Sequence, residues 1–158
     1  MKGFRRAVWQ AVLTGGLACL LPVVSRAQGG TVGTVTVGAA PGLLRVSAAV
    51  AGLEPNPVTG ASTITVKAQK ANKPQKITAQ LNAAMPAGLT LTLDMTAPTG
   101  ATAQGTVTLD ATARALMGNI KNLTAETETL TYTFTATTAA GVVAADSRTV
   151  TFTITSWP

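Results

Sequence analysis

The chain has 158 residues, twelve Lys or Arg against six Asp or Glu, no His and a single Cys, Cys19. The absence of His, with the one Cys near the N-terminus, removes the usual ligands for zinc, copper or haem and the usual general bases of hydrolases. The formal charge of +6 does not indicate a nucleic-acid partner, because four of the basic residues (Lys2, Arg5, Arg6 and Arg26) fall in a segment that reads as a leader.

Residues 1–27 carry the pattern of a secretory signal peptide. Lys2, Arg5 and Arg6 form the positive start, and an apolar stretch runs from Ala7 to Val24 with Gln10 inside it. Pro22 ends the apolar helix, and Ser25 and Ala27 place small residues where a signal peptidase reads. The expected cleavage is between Ala27 and Gln28. An uncleaved anchor fits less well, given Pro22 and the small-x-small site. Arg5-Arg6 is followed by residues that suit twin-arginine export poorly, and Gly16-Leu17-Ala18 before Cys19 is a poor lipidation site. Removal of 27 residues leaves 131, the size of one domain, with eight basic and six acidic side chains and a net charge of +2. The expected organisation is therefore a signal peptide, 1–27, and one domain, 28–158.

Threonine dominates that domain, with 27 of its 131 residues, and alternates with apolar residues. Period-2 alternation with a β-branched polar partner marks half-buried strands. In chain order the alternation predicts strands at Thr31 to Gly38, Leu44 to Ala51, Thr63 to Gln69, Lys76 to Asn82, Leu89 to Thr96, Thr106 to Asp110, Thr129 to Thr137 and Arg148 to Thr155. The inward residues include Ile64 and Val66, Ile77 and Leu81, Leu91 and Leu93, Tyr132 and Phe134, and Phe152 and Ile154. Pro- and Gly-bearing turns separate these runs at residues 40–42, 54–57, 72–74, 85–88 and 97–100. One segment departs from the pattern: in Ala111 to Ile120, Ala113, Leu116, Met117 and Ile120 fall at helical spacing. A short helical crossing near 111–120 is expected there. The resulting fold class is an all-β antiparallel sandwich of two packed sheets, with seven to eight strands and that crossing.

No catalytic constellation emerges, and no cofactor is expected. Glu126 and Glu128, two apart, are the nearest approach to a carboxylate pair, but they sit in a polar Thr-Ala-Glu-Thr-Glu-Thr run with no aromatic residue beside them. Ser62 and Ser147 lie near strand starts without a Gly-x-Ser-x-Gly elbow. The aspartates are too scattered for a calcium loop. Lys67, Lys70, Lys73 and Lys76 surround a turn with no interleaved aromatics, which reads as a solvated hairpin end. Asn122-Leu123-Thr124 matches a glycosylation sequon, a pattern that a Thr-rich chain produces by chance. Trp157 is the one Trp outside the leader, and Tyr132, Phe134 and Phe152 read as core, so recognition of a sugar by stacking is not expected. Ranks of Thr could order water in the manner of an ice-binding plane, but only if they align across adjacent flat strands, and the sheets of a sandwich twist; exposed strand positions favour Thr in any case.

The run Leu89-Thr-Leu-Thr-Leu93, the strand Gly105-Thr-Val-Thr-Leu109, the segment Ala115 to Ile120, and the runs Thr131 to Ala136 and Arg148 to Thr155 together resemble secreted bacterial immunoglobulin-like sandwich proteins, including fimbrial or pilin-type subunits. The resemblance spans roughly residues 60 to 155. The chain differs from type-1 pilins in lacking a Cys pair, and no functional residue carries over. The resemblance implies extracellular assembly or adhesion.

These readings converge on a secreted, non-enzymatic structural or adhesive protein, of fimbrial type, assembling through strand pairing with itself or other surface proteins. It would lie in the periplasm, outside the cell or on its surface, with no nucleic-acid partner and no membrane span after processing. The alternative is a monomeric secreted or periplasmic binding module; an ice-binding surface or an enzyme comes third. The residues singled out for assembly are Val32, Gly33, Val35 and Val37, in the first segment after the leader. That segment, Gly29 to Gly38, is short, alternating and followed by the Ala39-Ala40-Pro41-Gly42 break, as an exchangeable strand would be.

Overall fold

The computed structural model describes residues 33–46, 53–68, 73–140, 143–144 and 146–157, together with the backbone of residues 19–24. The chain is mostly β. Ten strands form among the described residues, in chain order: β1 (Cys19–Val24), β2 (Thr34–Val37), β3 (Val58–Lys67), β4 (Gln75–Leu81), β5 (Leu89–Met95), β6 (Thr102–Ala103), β7 (Val107–Thr108), β8 (Arg114–Ile120), β9 (Glu126–Ala136) and β10 (Ser147–Ser156). A single 3-10 turn, Thr138–Ala140, is the one helical piece among the described residues.

The strands build two sheets, ordered β1-β10-β4-β8-β6 and β2-β3-β9-β5-β7. Every pairing among the described residues is antiparallel except that of β1 with β10, which is parallel. The apolar faces of both sheets share one core. Ile64, Val66, Leu91, Leu93, Leu130, Tyr132 and Phe134 come from the second sheet, and Ile77, Leu81, Val150, Phe152 and Ile154 from the first. These are the residues that the alternation turns inward, so the register of β3, β4, β5, β9 and β10 follows directly from the Thr/apolar period.

Two tight turns match their sequences closely. The N–H of Leu89 donates to the carbonyl of Pro86, and that of Ala101 to the carbonyl of Pro98, each at 3.1 Å. Gly88 and Gly100 have φ of 77° and 87°, the left-handed values that the third position of a type II turn requires. Gly88 also packs tightly: a Cβ there would lie 2.8 Å from the backbone of Ala140. Glu54 fastens the same corner, its carboxylate accepting the N–H of Thr138 at 2.6 Å and the Thr138 hydroxyl at 3.2 Å.

The helical crossing expected near 111–120 does not form; Arg114–Ile120 is strand β8, paired with β4. The cause is bulging. Gln75 faces Ile120, Ile77 faces Met117, and Thr78 faces Ala115, so β8 carries one extra residue in each interval. Each extra residue shifts the inward set by one position. Leu116, Met117 and Ile120 are therefore all buried in a strand, at a spacing that mimics a helix. Asn119, with φ of 54°, takes the left-handed conformation inside one bulge.

Other boundaries shift as well. β3 begins at Val58 rather than Thr63, and its first half pairs with Tyr132, Thr133 and Phe134. Gly60 and Ala61 interrupt the alternation there. A Cβ on Gly60 would lie 2.7 Å from Leu44, whose buried side chain covers that stretch of β3. Of the strand expected at Leu44 to Ala51, residues 44–46 are not strand, and 47–51 lie outside the described residues, as do Thr31 and Val32.

Candidate functional site

Among the described residues, the strand edges and the outer faces carry the most distinctive features. Segment β2 lies at the edge of the second sheet, paired antiparallel to β3 of its own chain with Val35 opposite Val66 and Val37 opposite Ile64. Val35 is buried, and Val37 packs against the core. Glycines close both ends. A Cβ on Gly33 would lie 1.9 Å from the Lys67 carbonyl oxygen, and one on Gly38 would lie 2.3 Å from the Thr63 hydroxyl. The N–H of Gly33 donates to Gln75 Oε1 at 3.0 Å, and Gly38 N–H donates to the Thr63 carbonyl at 2.8 Å. Ser62 is buried, and its hydroxyl donates to the Ala39 carbonyl at 2.6 Å. Val35 and Val37 are thus brought together in one short edge strand with Gly33 immediately before it, while Val32 lies outside the described residues. The roles of Gly33 as a close-approach position and of the valines as an inward face were both legible in the alternation.

Strand β1 comes from the expected leader. Most of that leader, including Ala27 with its partner Gln28 in the expected cleaved bond, lies outside the described residues. Where the sequence reads as an apolar helix ending at Pro22, the backbone of Cys19–Val24 is extended along β10, from Cys19 opposite Ser147 to Val24 opposite Phe152. A short apolar run suits either geometry, and an open β10 edge supplies hydrogen-bonding partners for the strand. Pro22, which has no N–H to donate, is tolerated because β1 is the outermost strand. No signal in the sequence pointed to this pairing.

The outward residues of the second sheet are largely threonine, and they align. Thr108, Thr92, Thr133 and Thr59 form one rank across β7, β5, β9 and β3. Thr36, Thr65 and Thr127 form another across β2, β3 and β9, with the hydroxyls of Thr65 and Thr127 2.9 Å apart. Ranks in adjacent strands repeat at about 4.8 Å across the sheet.

The polar residues singled out as chemical candidates are engaged separately. The Glu128 carboxylate accepts the Thr96 hydroxyl, whose oxygen in turn accepts the Thr129 N–H at 2.9 Å; Glu126 is exposed. The exposed Asp110 binds Arg114 through the guanidinium, and the Thr112 N–H donates to it at 2.7 Å. The Arg114 hydrogen bond, helped by that of Thr112, holds the Asp110 carboxyl below the ordinary aspartate value. Arg148 pairs with Asp146 and also donates to the Ala84 carbonyl at 3.1–3.2 Å, tying the start of β10 to the turn after β4. Trp157 lies over Gly118 of β8, where a Cβ would meet the indole at 2.6 Å, and Lys76 Nζ stands 5.9 Å from the ring centre. Tyr132 is buried with its hydroxyl unpartnered among the described residues, and burial pushes its phenol above the ordinary tyrosine value. Lys67 and Lys73 are exposed around the β3–β4 turn, and Lys70 lies outside the described residues.

Among the described residues, no group of three or more His, Cys, Asp or Glu could hold a metal ion, and no helix is long and apolar enough to cross a membrane. No family model, curated protein or solved structure matches the chain.

Proposed function

We propose that this chain is a secreted, non-enzymatic structural or adhesive subunit of fimbrial type, an immunoglobulin-like β-sandwich that assembles by strand pairing. The observation that carries this reading is the pair of neighbouring edges at the N-terminus. The first segment after the expected leader is only four strand residues long, Thr34–Val37, at the margin of one sheet. The margin of the other sheet is lined by residues of the leader itself. Processing at Ala27–Gln28 removes that lining, and exposed strand edges are templates for pairing with another chain.

The test compares the processed chain, 28–158, with a form truncated to 39–158. An exchanged first strand predicts that the truncated form stays folded and no longer self-associates in size-exclusion chromatography. A processed chain that is monomeric at every concentration, with a melting temperature lowered by truncation, makes β2 an ordinary edge strand and leaves the monomeric binding module as the better reading. N-terminal sequencing of exported protein checks the Ala27–Gln28 bond.

The aligned Thr ranks favour a second reading, a water-ordering, ice-binding face on the second sheet. Ice-recrystallisation assays of the processed chain decide it. Inhibition that is lost in Thr92→Lys and Thr133→Lys supports the reading, and no inhibition removes it.

A further inference from the structure

The outer edge of β10 has a definite parity. The N–H of Asn82 donates to the Thr149 carbonyl at 3.0 Å, and the Thr149 N–H donates to Asn82 Oδ1 at 2.9 Å, so Thr149 directs both backbone groups toward β4. Backbone direction alternates along an antiparallel strand. Thr151, Thr153 and Thr155 therefore also face β4, while Val150, Phe152 and Ile154 direct their N–H and C=O groups to the side where β1 lies. Loss of residues 1–27 takes β1 away and leaves Val150 and Phe152 without that strand partner. The same edge accepts an extended apolar segment in the unprocessed chain, from Cys19 to Val24.

The sequence of β10 is close to a mirror image of itself about Phe152. Thr151 matches Thr153, Val150 matches Ile154, and Thr149 matches Thr155. An antiparallel partner must place outward-bonding residues opposite one another, so only even-numbered residues can face even-numbered ones. Pairing of two β10 strands about Phe152 meets this rule. It puts Val150 opposite Ile154 of the second copy, Phe152 opposite Phe152, and Arg148 opposite Ser156. Of the two adjacent allowed registers, that about Thr151 sets Arg148 against Ile154, and that about Thr153 sets Val150 against Ser156. We infer that the processed chain pairs with a second copy of itself through β10, antiparallel and centred on Phe152, in the place that β1 occupies. The inference rests on the assembly reading above and specifies its edge and its register. A contact of this kind is isologous, with the same patch serving both copies.

Register makes it testable by charge. On the outer face Thr151 stands opposite Thr153 of the other copy, twice per pair. In the processed chain, T151K/T153K sets lysine against lysine at both places, whereas T151K/T153E sets lysine against glutamate. Dissociation constants are measured by analytical ultracentrifugation, with melting temperatures confirming that each variant folds. The Lys/Lys form is expected to dimerise at least about tenfold more weakly than the Lys/Glu form. The difference should narrow as salt is raised. Equal weakening of both variants overturns the Phe152 register, since pairing about Thr151 would set the T151K lysine against its own copy in either. A processed chain that stays monomeric at millimolar concentration overturns the inference together with the assembly reading. Larger assemblies that neither variant perturbs overturn β10 pairing and leave strand exchange through β2 standing.

Discussion

The backbone N–H of Gly33 donates to the side-chain oxygen of Gln75, 42 residues away and in the other sheet. The bond is buried and links the entry of β2 to the entry of β4, so the N-terminal edge strand is clasped to both sheets. Gln75 is, with Ser62, one of the buried polar residues among those described, and a buried amide acceptor of this kind is costly to remove because its donor is then left unpaired.

Replacement of Gln75 by Met keeps the side-chain length and removes the acceptor. The expected loss of stability is about 1–3 kcal/mol, with faster amide exchange at Gly33. Exchange at Gly33 that does not change would mean that another group holds this N–H.

Phe134 is fully buried and lies opposite both Leu91 and Val58. Phe134→Ala is expected to cost about 3–5 kcal/mol. Thr133→Ala, on the outer face one residue earlier, should stay within roughly 0.5 kcal/mol. Denaturant titration separates the two, and equal effects would contradict the register of β9.

Gly118 is the floor beneath the Trp157 indole. Gly118→Ala must displace the ring and is expected to destabilise by about 1–3 kcal/mol, the usual cost of overpacking. Only Trp9 and Trp157 occur in the sequence, so fluorescence of the processed chain reports Trp157 alone. The emission should shift to the red in the variant; an unchanged spectrum would mean that the ring does not rest on β8.

The Asp110–Arg114 pair gives a signed pH dependence. The folded-state value of Asp110 is lowered, chiefly by the hydrogen bond from Arg114. Its contribution to stability is therefore fully present above the ordinary aspartate range, near pH 4, and is lost as pH falls through the lowered folded value. Both groups are exposed, so the effect is small and screened by salt. Carboxyl NMR titration should show Asp110 moving up toward the ordinary value in Arg114→Gln. A titration that ignores this substitution would place the cause elsewhere.

The inner faces of five strands were legible because Thr and apolar residues alternate through most of β3, β4, β5, β9 and β10, most plainly from Leu89 to Leu93, from Thr129 to Phe134 and from Thr149 to Thr155. Legibility failed where that period breaks. Two bulges in β8 turn Leu116, Met117 and Ile120 into an apparent helical stripe, and Gly60-Ala61 hides the first half of β3. The Gly33–Gln75 clasp was invisible for a different reason: it joins residues distant in sequence, and a lone Gln carries no periodic signal. The positions of Gly33, Val35 and Val37 as a compact edge segment were readable from alternation and glycine placement. The apposition of Cys19–Val24 with β10 was not, since apolar stretches state a preference for burial without naming a neighbour.

The Thr ranks on the second sheet carry one more implication. A hydroxyl neither gains nor loses a proton over the range in which proteins are handled, and it holds no net charge for dissolved ions to shield. Along the line from Thr108 to Thr59 the face presents methyl and hydroxyl groups side by side, with no formal charge in the rank. The rank itself is therefore the same in acid or alkali and in dilute or concentrated brine, while Asp94 and Lys67 carry charge elsewhere on the outer side of the sheet. Whatever touches this rank meets a chemically constant strip, whether the surrounding medium is a mineral spring or rainwater.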